Sequence, residues 1–210
     1  MFETSEIELS ASAYRHNLRF VKRLLKDDVR ICSVVKGNAY GHGLSVFVQM
    51  AMQAGVDYFA VHSAEEAFHL KQSISKLPDL FIMGAMEDKA VEWAVENGIE
   101  FAVFDHERLH AALSYARKFN KKAKLHLEVE TGMRRTGFLR DEIPALSKWM
   151  RANSENIIFQ GLFTHYAGAE SRANHFRISK QIDNFNLSLK AFKAEKLIPR
   201  YHHSACSAAL

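Results

Sequence analysis

Short apolar runs rich in β-branched and aromatic residues alternate with longer amphipathic stretches along the 210 residues. The candidate strands are RICSVVK, DYFAVH, LFIMG, EFAVF, KLHLEVE, FQGLFTHYA and RYHHSA. Between them the apolar spacing is helical, and the first such stretch places on one face Tyr14, Leu18, Val21 and Leu25. A later stretch, SAEEAFHLKQ, begins with Ser63 and Glu66 at the spacing of a capping box. Strands that alternate with helices pair in parallel, so the sequence predicts an α/β fold.

Two parallel architectures fit this alternation, a doubly wound open sheet and a (β/α)8 TIM-type barrel. The seven strand candidates come close to the eight strands of the barrel. No GxGxxG motif follows the first strand, which ends in Lys36 instead, and this argues against the open sheet. We therefore predict the barrel, whose sites lie at the carboxyl ends of the strands. Four parts of the sequence would converge at that end of the barrel: Lys36 and the ends of LHLEVE, LFTHYA and HHSACSA.

Composition and charge exclude several classes of protein. Hydrophobic residues make up 48% and charged residues 25%, as in an ordinary folded domain. The net charge is +4, but the basic residues are interspersed with 24 acidic ones, so we expect no nucleic-acid partner. MFETSEIELS has no features of a signal peptide, and no apolar run is long enough to span a membrane. The two cysteines lack metal-type spacing, so we predict a cytoplasmic protein with reduced thiols and no metal.

The segment VVKGNAYGHG places a lysine directly after an apolar strand. At the mouth of an apolar barrel a lysine loses its proton more readily, because desolvation disfavours the ammonium. A neutral lysine can attack the aldehyde of pyridoxal phosphate. The glycines at 37, 41 and 43 would let the backbone approach a phosphate, and Tyr40 offers a hydroxyl. A lone lysine at such a place more often simply extends into water, so Lys36 alone favours that second interpretation.

Four separated segments resemble the alanine racemase family. VVKGNAYGHG is similar to the family's pyridoxal-phosphate signature VVKANAYGHG, with Gly37 where alanine is usual. TGMRRTGF resembles TGMxRxGF, GLFTHYA resembles GxxTHFA and HHSACSAA resembles HxANSAA, all in the family's order. The resemblance covers essentially residues 1–210 as the family's N-terminal barrel domain, a fold-type III domain. It implies pyridoxal 5'-phosphate as the cofactor.

The resemblance implies a role for each matching position. Lys36 would hold the cofactor as an internal aldimine and then act as a catalytic base. Tyr40 and Ser207 would bind the cofactor phosphate, although Ser207 could also begin a helix as its N-cap. Arg135 would donate to the cofactor's phenolic oxygen, whereas Arg134 stands where the family is variable and would be a solvated neighbour.

Three further positions match the family more weakly. His165 would pack against the pyridine ring, His203 would support the site, and Met83 would contact the cofactor from the third strand. A satisfied strand-end histidine at position 165 and a plain core methionine at position 83 are the alternatives. Tyr40 could likewise be core packing.

Besides Gly37, the sequence departs from the family at positions 128 and 206. Glu128 stands where many racemases carry a carbamylated lysine that orients the arginine. Glu128 lies two residues from Glu130, so both side chains should face the same way along a strand. We hypothesise that Glu128 replaces the carbamate by pairing with Arg135. Cys206 replaces the asparagine of HxANSAA.

The activity that the resemblance implies is the interconversion of L- and D-alanine, with a small amino acid as substrate and a homodimer in the full-length protein. Racemisation needs a base on each face of the α-carbon, and in the family the second base is a tyrosine from a C-terminal β-domain. The sequence stops at SAAL, so we expect a chain truncated before the last barrel strand and that domain. Such a chain should racemise poorly alone.

Other interpretations stay open. A single-domain protein that carries pyridoxal phosphate for vitamin homeostasis has a similar length, but its lysine motif lacks the NAYGHG continuation. A fold-type III amino-acid decarboxylase would share the lysine but differs at TGMRRTG and HSACSAA. Within the racemases, serine or broader specificity would also fit.

Overall fold

The computed structural model describes residues 5–26, 28–204 and 207–209, and of Ser207 only the backbone. The chain divides into two compact units, residues 1–85 and 86–210. In each unit, helices alternate with strands that pair in parallel. The predicted α/β alternation is therefore present in both.

Within its described residues, the first unit contains three strands and four helical segments. In chain order these are α1 (Ala11–Leu24), β1 (Ser33–Val34), the single turn α2 (Lys36–Tyr40), α3 (Leu44–Gln53), β2 (Tyr58–Val61), α4 (Ala64–Ser73) and β3 (Asp79–Ile82). Strand β2 pairs in parallel with both β1 and β3. All four side chains of β2 are buried, as expected for a strand covered on both faces.

Two helices of this unit begin at serine caps. The Oγ atom of Ser10 accepts from the backbone N–H of Ala13 at 3.2 Å at the start of α1. At the start of α4 the Oγ atom of Ser63 accepts from the N–H of Glu66 at 3.2 Å, and the carboxylate of Glu66 accepts from the N–H of Ser63. The capping box predicted from the sequence is confirmed.

The second unit contains four strands and four α-helices within its described residues. They are α5 (Asp88–Glu96), β4 (Glu100–Val103), α6 (His106–Phe119), β5 (Ala123–Glu128), α7 (Ile143–Ala152), β6 (Ile157–Phe163), α8 (His175–Ala194) and β7 (Tyr201–His203). Short 3-10 turns lie at Arg140–Glu142, Arg172–Asn174 and Ser207–Ala209. Strand β5 lies between β4 and β6, and β6 pairs in turn with β7, all in parallel.

A β-bulge interrupts the pairing of β5 with β6. Leu125 pairs with Phe159, but the next residue, His126, pairs with Gly161, so Gln160 is the extra residue of β6. Both His126 and Gln160 are buried. Bulges change the direction of side chains and are frequent beside functional sites. This bulge changes the pairing at His126, one of the buried polar residues of the sheet.

The seven predicted strands are all present, but two differ from expectation. Strand β1 has only two residues, and Val34 is 39% exposed while Val35 is fully buried. Strand β6 ends at Phe163, so the THYA segment follows it as a loop. Helix α1 ends at Leu24, which leaves Leu25 outside the predicted helical face.

None of the helices in the described ranges is both long enough and apolar enough to cross a membrane. The longest, α8, has polar or charged residues at many of its positions.

We predict that Ser63→Ala lowers the free energy of unfolding by about 1 kcal/mol, because the first turn of α4 loses its side-chain acceptor. Urea denaturation measures the loss. The matched control is Ser114→Ala at an exposed position inside α6, where a change below about 0.5 kcal/mol is expected. Equal effects of the two substitutions would contradict the capping role.

Candidate functional site

Lys36 stands where β1 passes into the turn α2. The backbone N–H of Val35 donates to the carbonyl of Ala60 at 2.8 Å and so fixes the end of β1 against β2. Val35 is fully buried and Lys36, the next residue, is exposed. The strand thus delivers an ammonium to the carboxyl edge of the first unit. The side chain of Lys36 is exposed, whereas the sequence predicts a lysine that is desolvated at the mouth of an apolar barrel.

The turn after Lys36 is left-handed. Residues 37–41 all have positive φ, between 54° and 90°. Such a run is rare, because each residue with a Cβ costs roughly 1–2 kcal/mol in this conformation. Local hydrogen bonds offset the cost: the N–H of Gly41 donates to the carbonyl of Gly37 at 3.0 Å, and Oδ1 of Asn38 accepts from the N–H of Leu44 at 2.8 Å. Strained backbone held in this way is typical of functional sites.

The carboxylate of Glu66 links three parts of the first unit. Its Oε1 atom accepts from the N–H of Gly37 at 2.6 Å, and its Oε2 atom accepts from the N–H of His62 at 2.7 Å and of Ser63 at 3.4 Å. Hydrogen bonds to an ionised acceptor are stronger than those between neutral groups. Glu66 therefore fixes the backbone beside Lys36 to the end of β2. The sequence indicated Glu66 only as a helix cap.

Tyr40 and Met83 lie at the same edge of the first unit. Tyr40 is 64% exposed, which excludes the alternative that it is a core residue. Met83 directly follows β3 and is half-buried, and its N–H donates to the carbonyl of Val61 at 2.9 Å. Because the strands are parallel, Lys36 and Met83 both follow the carboxyl end of a strand.

Glu128 ends β5 in the second unit with a buried carboxylate. Its Oε2 atom accepts from the hydroxyl of Thr136 at 2.8 Å, and its Oε1 atom lies 3.7 Å from Nη2 of Arg135. Burial, together with the nearby charge of Glu130, raises the pKa of Glu128 although Thr136 and Arg135 act to lower it. The predicted contact with Arg135 is present, but this guanidinium is half-exposed and Thr136 is the closer partner.

The neighbouring residues of this loop have other partners. The carboxylate of Glu130 accepts from the N–H groups of Gly132 and Arg134. Arg134 is exposed, as predicted, and has a φ of 58°. Glu130 therefore shapes the loop TGMRR, whereas Glu128 is the acidic residue that contacts Arg135.

Gln181 of α8 anchors the loops that follow β5 and β6. Its side chain is 1% exposed, and its Nε2 atom donates to the hydroxyl of Thr131 at 3.3 Å and to the carbonyl of His165 at 3.0 Å. Its Oε1 atom accepts from the N–H of Ala167 at 3.0 Å. The hydroxyls of Thr131 and Thr164 lie 2.8 Å apart. One buried amide thus joins two of the four segments that resemble the family, TGMRRTGF and GLFTHYA, a role that the helical pattern around position 181 did not predict.

His165 and its neighbours follow the end of β6. The side chain of His165 is exposed and follows the strand rather than ending it. The next residue, Tyr166, is buried and its hydroxyl donates to Oγ of Ser204 at 2.8 Å. This bond ties the loop after β6 to the chain just after β7.

His203 ends β7 and has two ring contacts. It stacks on Phe163 with 5.1 Å between the centroids, and its Nε2 atom lies 3.1 Å from Nδ1 of His126. Although part of its surface stays exposed, the surrounding protein lowers the pKa of His203 by desolvation, and His126 and His202 lower it further. The ring is therefore neutral near pH 7.

Each unit thus collects predicted site residues at the carboxyl ends of its strands. In the first unit these are Lys36, Tyr40 and Met83, and in the second they are Glu128, Arg135, His165 and His203. The side chain of Ser207 lies outside the described residues, as does Cys206. Parallel β/α units with polar groups at that edge are typical of α/β proteins whose site is formed there.

Residues 9–210 match the family model for the N-terminal domain of alanine racemase. The chain belongs to the alanine racemase family.

Similar proteins and solved structures that are named alanine racemases support this assignment. The alanine racemase of Desulfovibrio desulfuricans is 32% identical over 203 residues, which cover 97% of this chain and 54% of the relative. The solved alanine racemase from Bacillus anthracis with bound L-Ala-P has a TM-score of 0.84 at 28% identity, over 95% of this chain and 51% of its own. A histidine racemase from Leuconostoc mesenteroides has a TM-score of 0.75 at 25% identity, over 94% of this chain and 51% of its own.

These likenesses confirm the predicted fold class, the (β/α) barrel of the racemases. The chain spans about half the length of the curated relatives it matches.

We predict that Glu128→Gln changes the pH dependence of stability. The raised pKa means that the folded chain holds this proton to higher pH than the unfolded chain. Between the two pKa values the folded state binds more protons, so the free energy of unfolding falls as the pH rises. Glutamine does not titrate. The stability of the wild type relative to Glu128→Gln should therefore fall as the pH rises above 4.5.

Glu142→Gln provides a control of opposite sign, measured by the same urea denaturation series. Partial burial acts to raise the pKa of Glu142, but hydrogen bonds from the N–H of Leu139 and from His106 outweigh it, and the pKa is lowered. Wild-type stability relative to Glu142→Gln should rise with pH. If both variants show the same slope, burial does not control the proton of Glu128.

We predict that Gln181→Leu lowers the free energy of unfolding by about 2 kcal/mol or more, because Thr131, the carbonyl of His165 and the N–H of Ala167 lose a buried partner. Hydrogen exchange should accelerate in residues 131–137 and 164–168. Asn186→Leu, at an exposed position of the same helix, is the control. Unchanged exchange in both loops would show that Gln181 does not hold them.

Proposed function

We propose that this chain binds pyridoxal 5'-phosphate through Lys36 and forms, as residues 1–210, the cofactor-binding N-terminal domain of a cytoplasmic alanine racemase. One observation carries the proposal: β1 ends in an exposed lysine, and a left-handed turn held by Glu66 follows at once. Family membership supports the same conclusion, because it places this lysine segment within the matched range.

The residues present fit the cofactor. Among the described residues, no atom other than sequence neighbours lies within 4 Å of the place that a Cβ would take at Gly37, Gly41 or Gly43. The turn therefore leaves room for a ligand beside Lys36. The exposed hydroxyl of Tyr40 can donate to a phosphate oxygen, and the guanidinium of Arg135 offers a planar donor to a phenolic oxygen.

When bound, pyridoxal phosphate supplies an electron sink that makes the α-proton of an amino acid acidic. In our proposal the amine of Lys36 holds the cofactor and then takes or returns that proton on one face of the α-carbon. A second base on the opposite face completes racemisation. Glu66 keeps the backbone beside Lys36 in place during this exchange.

The resemblance to the family implies further cofactor contacts for residues of the second unit. Arg135 would donate to the phenolic oxygen while Glu128, held by Thr136, keeps the guanidinium in position. His165 and His203 would lie beside the pyridine ring, Met83 would add an apolar contact, and Ser207 would share the phosphate with Tyr40. We propose Glu128 as the anionic partner that replaces a carbamylated lysine.

Alanine is the substrate that we propose. A structural relative is an alanine racemase with bound L-Ala-P, and the curated relative is also an alanine racemase. Because a histidine racemase is also among the structural relatives, a racemase of broader substrate specificity is the second candidate. A homodimer of the full-length protein belongs to the same proposal.

We predict that the chain with added pyridoxal phosphate develops a visible absorption band that Lys36→Ala lacks, because only an amine at this position can bond covalently to the aldehyde. Borohydride should abolish the band and leave a stable adduct on Lys36, identified by peptide mass spectrometry. Lys76→Ala, which removes another exposed lysine of the first unit, should behave as wild type. Glu128→Gln should retain less cofactor on dialysis.

Deuterium uptake at the α-carbon of L-alanine then separates two functions. A racemase domain should catalyse exchange with D₂O through Lys36, and Lys36→Ala should not. A chain that forms the adduct but leaves alanine unlabelled, with or without the remaining half of a racemase, would be a pyridoxal-phosphate carrier. An adduct equally abundant in Lys36→Ala would refute the assignment of Lys36.

A further inference from the structure

A buried polar chain leads through the second unit to His203. The carboxylate of Glu100 accepts from Nε2 of Gln160 at 2.6 Å and lies 3.0 Å from Nε2 of His126. The Nδ1 atom of His126 lies 3.1 Å from Nε2 of His203. Glu100, His126 and Gln160 are all at most 4% exposed. None of these three residues belongs to the cofactor contacts proposed above.

The backbone is shaped to admit this chain. The bulge at Gln160 sets Gly161 opposite His126, and a Cβ at position 161 would lie 2.6 Å from Cε1 of His126 and closer still to Nδ1. Only glycine leaves room for the imidazole. A bulge, a glycine and three buried polar side chains together are more than the packing of an apolar core requires.

The direction of each hydrogen bond follows from the donors available. The amide Nε2 of Gln160 can only donate, so Oε1 of Glu100 is an acceptor. The charge of Glu100 acts to raise the pKa of His126, as expected of an ionised carboxylate, whose Oε2 atom accepts from Nε2–H of His126. Desolvation lowers the pKa of His126 by more than Glu100 raises it, so the ring is neutral. A neutral ring with its proton on Nε2 has an acceptor at Nδ1. Nε2 of His203 must then be the donor across the 3.1 Å contact.

We propose that Glu100, Gln160 and His126 are positioning residues that hold the proton of His203 on Nε2 and leave Nδ1 as the acceptor of that ring. The Nδ1 atom of His203 then carries a lone pair rather than a proton. In this tautomer His203 cannot donate a hydrogen bond through Nδ1. Its importance for the cofactor rests on the proposed function, whereas the position of the proton does not.

The electrostatic surroundings of His203 agree with this tautomer. His126 faces the ring from β5, Phe163 stacks on it from β6, and His202 precedes it on β7. The two histidines disfavour a positive charge on His203, and the phenyl ring brings no charge of its own. Glu100, the acidic residue of this series of buried polar contacts, acts on His203 through His126.

Long-range ¹H–¹⁵N correlation spectra of histidine-labelled protein test the proposal without cofactor. At pH 7 the wild type should show His203 with a protonated Nε2 and an unprotonated Nδ1. In Glu100→Gln the amide can donate to His126 instead of accepting, so the His203 signals should shift towards the opposite tautomer. Gln160→Leu, which leaves Glu100 with one donor fewer, should cause a smaller shift in the same direction.

Glu142→Gln is the matched control. It removes a different glutamate–histidine contact of the same unit, the exposed contact of 2.9 Å between Oε1 of Glu142 and Nε2 of His106. Its His203 spectrum should equal that of the wild type. A wild-type His203 protonated on Nδ1, or an unaltered tautomer in a folded Glu100→Gln, would overturn the proposal. Even if a variant does not fold, the wild-type spectrum alone shows which nitrogen of His203 carries the proton.

Adduct formation on Lys36 in the same samples separates this proposal from the proposed function. If His203 has the expected tautomer but no adduct forms, the chain of polar residues stands and the function fails. If the adduct forms while His203 is protonated on Nδ1, the function stands and the positioning role fails.

Discussion

Parallel strand pairing is the constraint on which the candidate site depends. In each unit it turns every strand end towards one edge, so residues far apart in sequence reach the same side of the fold. Lys36 and Met83 occupy that edge in the first unit, and Glu128 and His203 occupy it in the second. None of them needs to be near another along the chain. The site is therefore a product of topology, and the helices serve mainly to make that topology possible.

At this edge the first unit uses backbone conformation rather than side chains to shape the site. Four consecutive residues after Lys36, and Gly41 beyond them, are left-handed, including three with side chains. A conformation this costly persists only when its surroundings enforce it. The carboxylate of Glu66 does so by accepting from Gly37 while it caps α4, so the stability of a helix and the geometry beside Lys36 share one side chain.

The sequence predicted the elements well, because alternation and caps are local signals. The candidate site residues came from the resemblance of four segments to the alanine racemase family, because a lysine or a histidine at a strand end does not by itself indicate a role. The sequence could not show the left-handed turn, since Asn38, Ala39 and Tyr40 have no strong preference for that conformation. Nor could it show that Glu66 reaches Gly37 or that Gln181 joins two loops, because those bonds connect residues distant in sequence. In the sequence, the buried polar contacts of Glu100 are indicated by a glutamate in the apolar strand β4 and a histidine in the apolar strand β5.

The two buried carboxylates of the second unit illustrate what such groups cost and why they are kept. Each loses hydration on burial, and an apolar pair of similar size would be at least as stable. Glu100 is compensated by an amide and an imidazole, Glu128 by a hydroxyl and a half-exposed guanidinium. Both chains of contacts end at a residue on the carboxyl edge, His203 in one case and Arg135 in the other. Stability alone would not retain two charges in one core, but a site that must fix the proton of one group and the direction of another requires both.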